Sequence, residues 1–258
     1  MSGNYPDWVI LHIPHDSIMI PKDIADQYII SNDELYQELI LMTDHSTRQL
    51  FAKDVKKDRI VYAQFSRLVV DVERFEDDGK EPMASHGMGV IYTKTANQKA
   101  LRRPLSIDER EYLLDRFYRP YHDWFQSEVD KVLKKYGHCL VMDCHSFLSR
   151  PLPYEMKQSL RRPEICIGTD PFHTPKELEE SFVKAFTDEG YSVSVNEPFS
   201  GAIVPMKHYK KDDRVKAIMI EVNRSLYVDE RTGELLFTFP KFKKSLEKVI
   251  ESALTKSY

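Results

Sequence analysis

The chain has 258 residues, 41% hydrophobic and 30% charged, with a formal net charge of −4. That length suits one α/β domain, and the apolar fraction is enough for a large core. The mild, well-mixed charge speaks against a nucleic-acid partner, and no apolar run reaches the ~18 residues that cross a bilayer.

In chain order, the start Met1-Ser2-Gly3-Asn4-Tyr5-Pro6-Asp7 has neither a basic nor an apolar leader region, so no signal peptide is expected. Residues 8–13 form a short apolar run stopped by Pro14, which predicts a buried first strand. Ser31 and Glu34 make a capping box, opening a helix whose stripe of Leu35, Leu39, Met42 or Thr43, Ser46 and Leu50 extends to about Asp54. Residues 59–65 and 68–72 read as strands interrupted at Ser66-Arg67. The polar, irregular stretch from Glu73 to Arg103 contains a loop-rich insertion near 75–104, of the kind that carries function. Ser106 and Glu109 form a second capping box, and the amphipathic helix after it runs toward Tyr136, with a kink or break expected at Pro120.

Residues 139–144 and 164–168 predict two more strands. Thr174-Pro175 should cap and start a helix that Gly190 ends. Strands at 191–195 and 216–222 and a helix at 239–254 complete the chain. This alternation predicts an α/β fold, a single domain over 1–258 with a mainly parallel sheet covered by helices and ligands at the carboxyl ends of its strands. Cysteines 139, 144 and 166 are odd in number and read as reduced core thiols, which suits a cytoplasmic protein.

Four polar signatures carry the chemistry: Ile13-Pro14-His15-Asp16-Ser17, Thr43-Asp44-His45-Ser46-Thr47, Asp143-Cys144-His145-Ser146 and Glu221-Val222-Asn223-Arg224. Each follows or lies in an apolar run. Together they read as a one-metal hydrolase site: two His and an Asp would hold the ion, and a Glu would take a proton from water. Each residue also has a plain structural reading. His15 could be a turn histidine, and His145 a core histidine satisfied by Asp143. If strand alternation persists, Asp143 lies on the same side as His145 and could orient it. An unpaired Asp44 beside apolar positions would be costly, so it needs a metal, an arginine or a helix end as partner. His45 would point about 100° away on a helix, so only one of the two should face a given site, and Asp44 is chosen. Glu221 interrupts an apolar strand, either as a base whose pKa burial raises or as half of an ion pair with Arg224 or a lysine. Arg67, Arg74 and Arg224 are candidates to hold a substrate carboxylate in a bidentate fork. His208, after the glycine-containing loop Phe199-Ser200-Gly201-Ala202, could polarise a carbonyl.

The ordered set Ile13-Pro14-His15-Asp16, Thr43-Asp44, Ser66-Arg67, Val70-Asp71, Arg74, Arg119-Pro120-Tyr121-His122, Asp143-Cys144-His145-Ser146, Gly201, His208-Tyr209, Glu221-Val222 and Tyr227 resembles the N-formylglutamate amidohydrolase (deformylase) family. The resemblance implies a three-layer α/β/α, phosphorylase/hydrolase-like fold related to zinc carboxypeptidases and N-acetylmuramoyl-L-alanine amidases. It also implies zinc on His15, Asp44 and His145, one ion per chain, with Glu221 as base; manganese, iron or cobalt would suit the same ligands. The implied reaction releases formate from N-formyl-L-glutamate, a late step in histidine degradation. From composition, a small-molecule substrate with no nucleic-acid or membrane partner is expected, and either a monomer or a homodimer is open. Other expectations are a zinc peptidase or peptidoglycan-type amidase, or a non-catalytic protein that binds an N-acyl amino acid. The chain departs from the family pattern at Ser17, where glycine is frequent, at Glu73, where asparagine is frequent, and around 75–104 and Glu197-Pro198.

Overall fold

The structure is a computed structural model that describes residues 5–52 and 55–257. Its centre is β1 (Val9–Ile13) and β3 (Cys139–Phe147), with no exposed residue in either strand. Continuous burial of this kind belongs to strands covered on both faces. The six strands are ordered β2-β1-β3-β6-β4-β5, where β2 is Ile60–Tyr62, β4 Ile165–Gly168, β5 Val193–Val195 and β6 Val215–Asn223. The pairs β1–β2, β1–β3, β3–β6 and β4–β5 are parallel, and β4 runs antiparallel to β6. The fold is therefore α/β with a mainly parallel, mixed sheet.

Side-chain alternation divides the core. Leu11, Ile13, Leu140, Met142, Cys144, Ile218 and Ile220 face α2 (Thr47–Phe51), α5 (Lys176–Asp188) and α6 (Phe239–Ser257). Ile10, Val141 and Ala217 face α3 (Ile107–Leu113) and α4 (Arg119–Tyr136). His12, Asp143, His145 and Glu221 alternate onto this second face, at or toward the carboxyl ends of their strands.

Both capping boxes form: Ser31 caps α1 (Asn32–Met42) and Ser106 caps α3. The helix expected to reach Asp54 does not continue. It stops at Thr43, and after Ser46 in the left-handed region (φ 59°) α2 begins on a new axis; Asp54 lies outside the described residues. Residues 68–72 are not a strand but a buried turn segment, held by Val69 N–H on the Ser66 carbonyl and Asp71 N–H on the Val90 carbonyl. Burial of Leu68, Val69, Val70 and Val72 explains why this loop resembles a strand in sequence. Before Pro120, residues Leu114–Tyr118 widen into a π-turn, the break expected where proline removes an amide donor. Thr174 does not cap α5; its hydroxyl donates to the Ala217 carbonyl. Cys139, Cys144 and Cys166 are free and buried.

The segment 75–104 builds its own small core, in which Met88, Tyr92, Ala96 and Leu101 pack with Tyr28, Leu39, Met42 and Leu68. Here Ala96 N–H donates to Glu38 at 2.5 Å. Burial raises the Glu38 pKa to about 7 from 4.5, against the lowering effect of that bond. A raised folded-state pKa favours folding while Glu38 is protonated, fully below 4.5, and the contribution disappears as pH rises through 7. Glu38→Gln keeps the acceptor without the charge. Its urea midpoint should fall less than that of the wild type between about pH 5 and about pH 8, a difference of up to about 3 kcal/mol. Identical pH slopes would show that Glu38 does not carry this dependence.

Candidate metal centre

His15 stands two residues beyond β1, placed by the end of the strand at Pro14. Asp44 sits in the break between α1 and α2, and its N–H donates to the His15 carbonyl at 2.9 Å. That bond brings two segments distant in the chain side by side. His145, near the end of β3, is the register partner of Glu221 in β6. His15, Asp44 and His145 each offer one ligand atom, all within 4.8 Å of one another.

Proton bookkeeping fixes the ring nitrogens that face this point. His15 Nε2 lies 2.8 Å from Asp71 Oδ1 and donates to it. His145 Nε2 lies 2.9 Å from Asp143 Oδ1. Each carboxylate therefore holds the N–H side of its imidazole and turns Nδ1 inward. The two Nδ1 atoms meet the same oxygen, Asp44 Oδ2, at 3.7 Å for His15 and 3.0 Å for His145. His15 Nδ1 is buried with no hydrogen-bond partner. Three lone-pair atoms aimed at one buried point repel unless a cation or proton sits among them, so the donor set suits a divalent metal.

Charge at the site follows the same plan. Burial alone would raise Asp44, but bonds from His145 and His15 and the Arg224 charge hold it well below the carboxylate range. Burial would likewise raise Asp71, and Arg67, His15 and Arg74 outweigh it. His145 is pushed well above its ordinary value: burial opposes this, but the charges of Glu73 and Asp143 prevail. Glu221 goes the other way. Burial lifts it to about 8, opposed by His145 and supported by Asp44 and Glu73, and its Oε2 has no partner.

The arginines divide. Arg224 is not open to a substrate carboxylate: buried, it donates to Asp44 Oδ1 (2.8 Å), the Leu41 carbonyl (2.7 Å), and the Ser146 hydroxyl and carbonyl. It positions Asp44 instead, and it is not Glu221's ion-pair partner. Arg67 donates to Asp71 and to the Tyr92 hydroxyl, and Arg74 lies 3.5 Å from Asp71; both remain partly exposed. His208 is also placed elsewhere. It lies on the turn that enters the amino end of β6, with Nε2 at 2.8 Å from Asp130 and Nδ1 at 3.3 Å from Asp212. Both ring nitrogens are thus occupied far down the strand from Glu221, so it cannot polarise a carbonyl at this centre. His45 points away and donates to the Ile40 carbonyl.

Sequence reasoning missed His12. Its Nδ1 donates to Asp143 at 2.7 Å, and its Nε2 accepts from the Tyr121 hydroxyl at 2.7 Å. Tyr121, His12, Asp143 and His145 form a buried hydrogen-bonded row under the site. The signal was a histidine amid the apolar run Val9-Ile10-Leu11-His12-Ile13. Glu73 was noticed only as a divergent position, yet Oε1 reaches within 3.1 Å of His145 Nε2.

Comparison with known proteins gives the class first: a hydrolase acting on a linear C–N amide bond. The chain matches the N-formylglutamate amidohydrolase family over residues 8–228, and it belongs to that family. It is 26% identical over 234 residues to the N-formylglutamate deformylase of Pseudomonas putida, covering 86% of this chain and 82% of that one. It is 29% identical over 182 residues to the enzyme of the same name from Pseudomonas aeruginosa, covering 66% and 64%. Among solved structures, the N-formylglutamate amidohydrolase of Ralstonia eutropha JMP134 superposes with a TM-score of 0.82 at 20% identity, covering 96% of this chain and 94% of that one. The Agrobacterium tumefaciens gene product Atu2144 follows at TM-score 0.69 and 20% identity, covering 96% and 90%. These two likenesses concern the fold.

Proposed function

We propose that this chain hydrolyses N-formyl-L-glutamate to L-glutamate and formate, using one zinc ion held by His15 Nδ1, Asp44 Oδ2 and His145 Nδ1. The observation that carries this reading is the meeting of those three acceptor atoms beside the unpartnered carboxyl oxygen of Glu221. The names of the Pseudomonas relatives supply the substrate. When bound, such an ion polarises the formyl carbonyl and makes a water acidic enough to lose its proton near neutrality.

The rest falls to the protein. Glu221 takes the water proton as attack on the formyl carbon begins, and returns it to the nitrogen as the C–N bond breaks. Asp71 and Asp143 hold the two imidazoles by their Nε2–H groups, and Arg224 holds Asp44 by its second oxygen. Arg67 and Arg74 bind a substrate carboxylate with the N–H groups not used on Asp71. The 75–104 segment contributes Tyr92, whose hydroxyl donates to Asp71 at 2.5 Å and so ties the segment to the carboxylate that holds His15. The names of the relatives favour a deformylase over a peptidase or peptidoglycan amidase. No described helix is long and apolar enough to cross a membrane. Three reduced thiols agree with work in the cytoplasm, within histidine degradation.

The test is formate release with metal analysis. Purified protein should carry about one zinc per chain. Chelation should abolish formate release from N-formyl-L-glutamate, and added zinc should restore it. Full activity without metal, or no release from this substrate with metal bound, would overturn the reading.

A further inference from the structure

Glu73 is an acidic side chain at the centre that the roles above leave unused. Its side chain is 18% exposed, against 3% or less for Asp44, Asp71 and Asp143. It therefore lies on the side open to an entering molecule. Its own N–H donates to Asp71 Oδ1 at 3.0 Å, which ties its backbone to the carboxylate that orients His15. Oε1 lies 3.1 Å from His145 Nε2 and 3.7 Å from His12 Nδ1, and Oε2 lies 4.0 Å from His15 Nδ1. Among the described residues these histidines are its only ion-pair partners, and no Arg or Lys neutralises it. Glu73 stands outside the triad of His15, Asp44 and His145, and belongs instead with His12, Asp143 and His145 to a second group whose ligand atoms all lie within 4.8 Å of one another. It approaches His145 from the N–H side, whereas the ligand atom is on the other.

A partly exposed carboxylate whose only partners are imidazoles keeps acceptor capacity on its open side for a cation that forms beside it. Amide hydrolysis forms one. The formyl amide R–NH–CHO gains water: a C–O bond forms at the formyl carbon and the C–N bond breaks. One water proton passes through Glu221 to the nitrogen, giving R–NH2 and formic acid. The acid's remaining proton then moves to the amine, giving R–NH3+ and formate. The nitrogen thus changes from a neutral N–H donor to an ammonium.

Resting on the hydrolase reading above, we propose that Glu73 is a catalytic residue that accepts the hydrogen bond of the scissile N–H and then holds the ammonium as it forms. It orients the amide before attack and stabilises the charge that appears on the leaving nitrogen.

Two measurements on the full, metal-loaded chain test this. The first compares N-formyl-L-glutamate with the formate ester of 2-hydroxyglutarate, whose leaving atom is oxygen and forms no ammonium. Glu73→Gln should keep its zinc, lose about 10²-fold in kcat on the amide, and lose less than about threefold on the ester. Loss of zinc would make Glu73 a ligand. Equal losses on both substrates would make it a structural support, and an unchanged amide rate would remove it from the reaction; each overturns the proposal. The second measurement needs no turnover. Calorimetry should show the wild type binding L-glutamate about tenfold more tightly than 2-hydroxyglutarate, with the preference lost in Glu73→Gln. A wild type that releases no formate but keeps this Glu73-dependent preference would sink the deformylase reading alone. A wild type with no preference for the ammonium sinks the Glu73 proposal alone.

Discussion

Glu221→Gln is expected to reduce formate release by roughly 10²–10⁴-fold while the metal content stays at the wild-type level. The substitution keeps the shape of the side chain and removes its ability to take a proton. Glu221 is not in the triad of ligand atoms, so the metal should remain. Stability should not suffer. Burial raises the Glu221 pKa to about 8 from 4.5, so whatever it contributes to folding is complete below 4.5 and is lost as pH rises through 8. Near neutrality the neutral amide should be at least as stable as the wild type, the usual sign of a group kept for activity at the expense of the fold. Metal content, turnover and a urea midpoint measured on one preparation decide the matter. Unchanged turnover would take Glu221 out of the role of base, and lost zinc would make it a ligand.

Asp44→Ala should be the most damaging single change in the molecule. Asp44 Oδ2 is the atom both imidazoles face, and its removal takes away the anionic ligand of the set. Its other oxygen takes the Arg224 guanidinium, which is buried and would be left with an uncompensated charge. Breaking a buried pair by removing one partner costs about 3–5 kcal/mol, so Asp44→Ala should both lose zinc and unfold at lower denaturant. The two effects separate in a cycle. Asp44→Ala with Arg224→Met should recover much of the stability, because no buried charge remains unpaired, and should still bind no metal. Zinc at the wild-type level in Asp44→Ala would remove Asp44 from the ligand set.

The residues that form the centre were largely legible in the sequence; their neighbours were not. A histidine just past an apolar strand, a second in Asp143-Cys144-His145 and a glutamate interrupting 216–222 are local signals, and all three residues meet at one end of the sheet. Arg224 was legible as a residue but not as a role. Just past a strand end, an arginine can serve a substrate or the protein, and only the contact with Asp44, 180 residues away, decides it. His208 shows the converse: its loop looked suited to a ligand, but the turn delivers it to Asp130, 78 residues away.

The sequence by itself determined most of the strand and helix alternation, both capping boxes, the break near Pro120 and the apolar runs of the central strands. These depend on partners three or four residues apart, or on a period of two, and such interactions are written in neighbouring letters. Tertiary structure alone decided that α1 stops at Thr43 and leaves Asp44 in the break, that 68–72 is a buried turn, and that β4 runs antiparallel to β6. It also decided which face of each imidazole points inward, because Asp71 lies 56 residues from His15, and Asp143 shares its oxygen with His12, 131 residues away. A buried carboxylate or ring nitrogen takes whatever partner the packed core brings within about 3 Å, and the chain carries no local record of that distance.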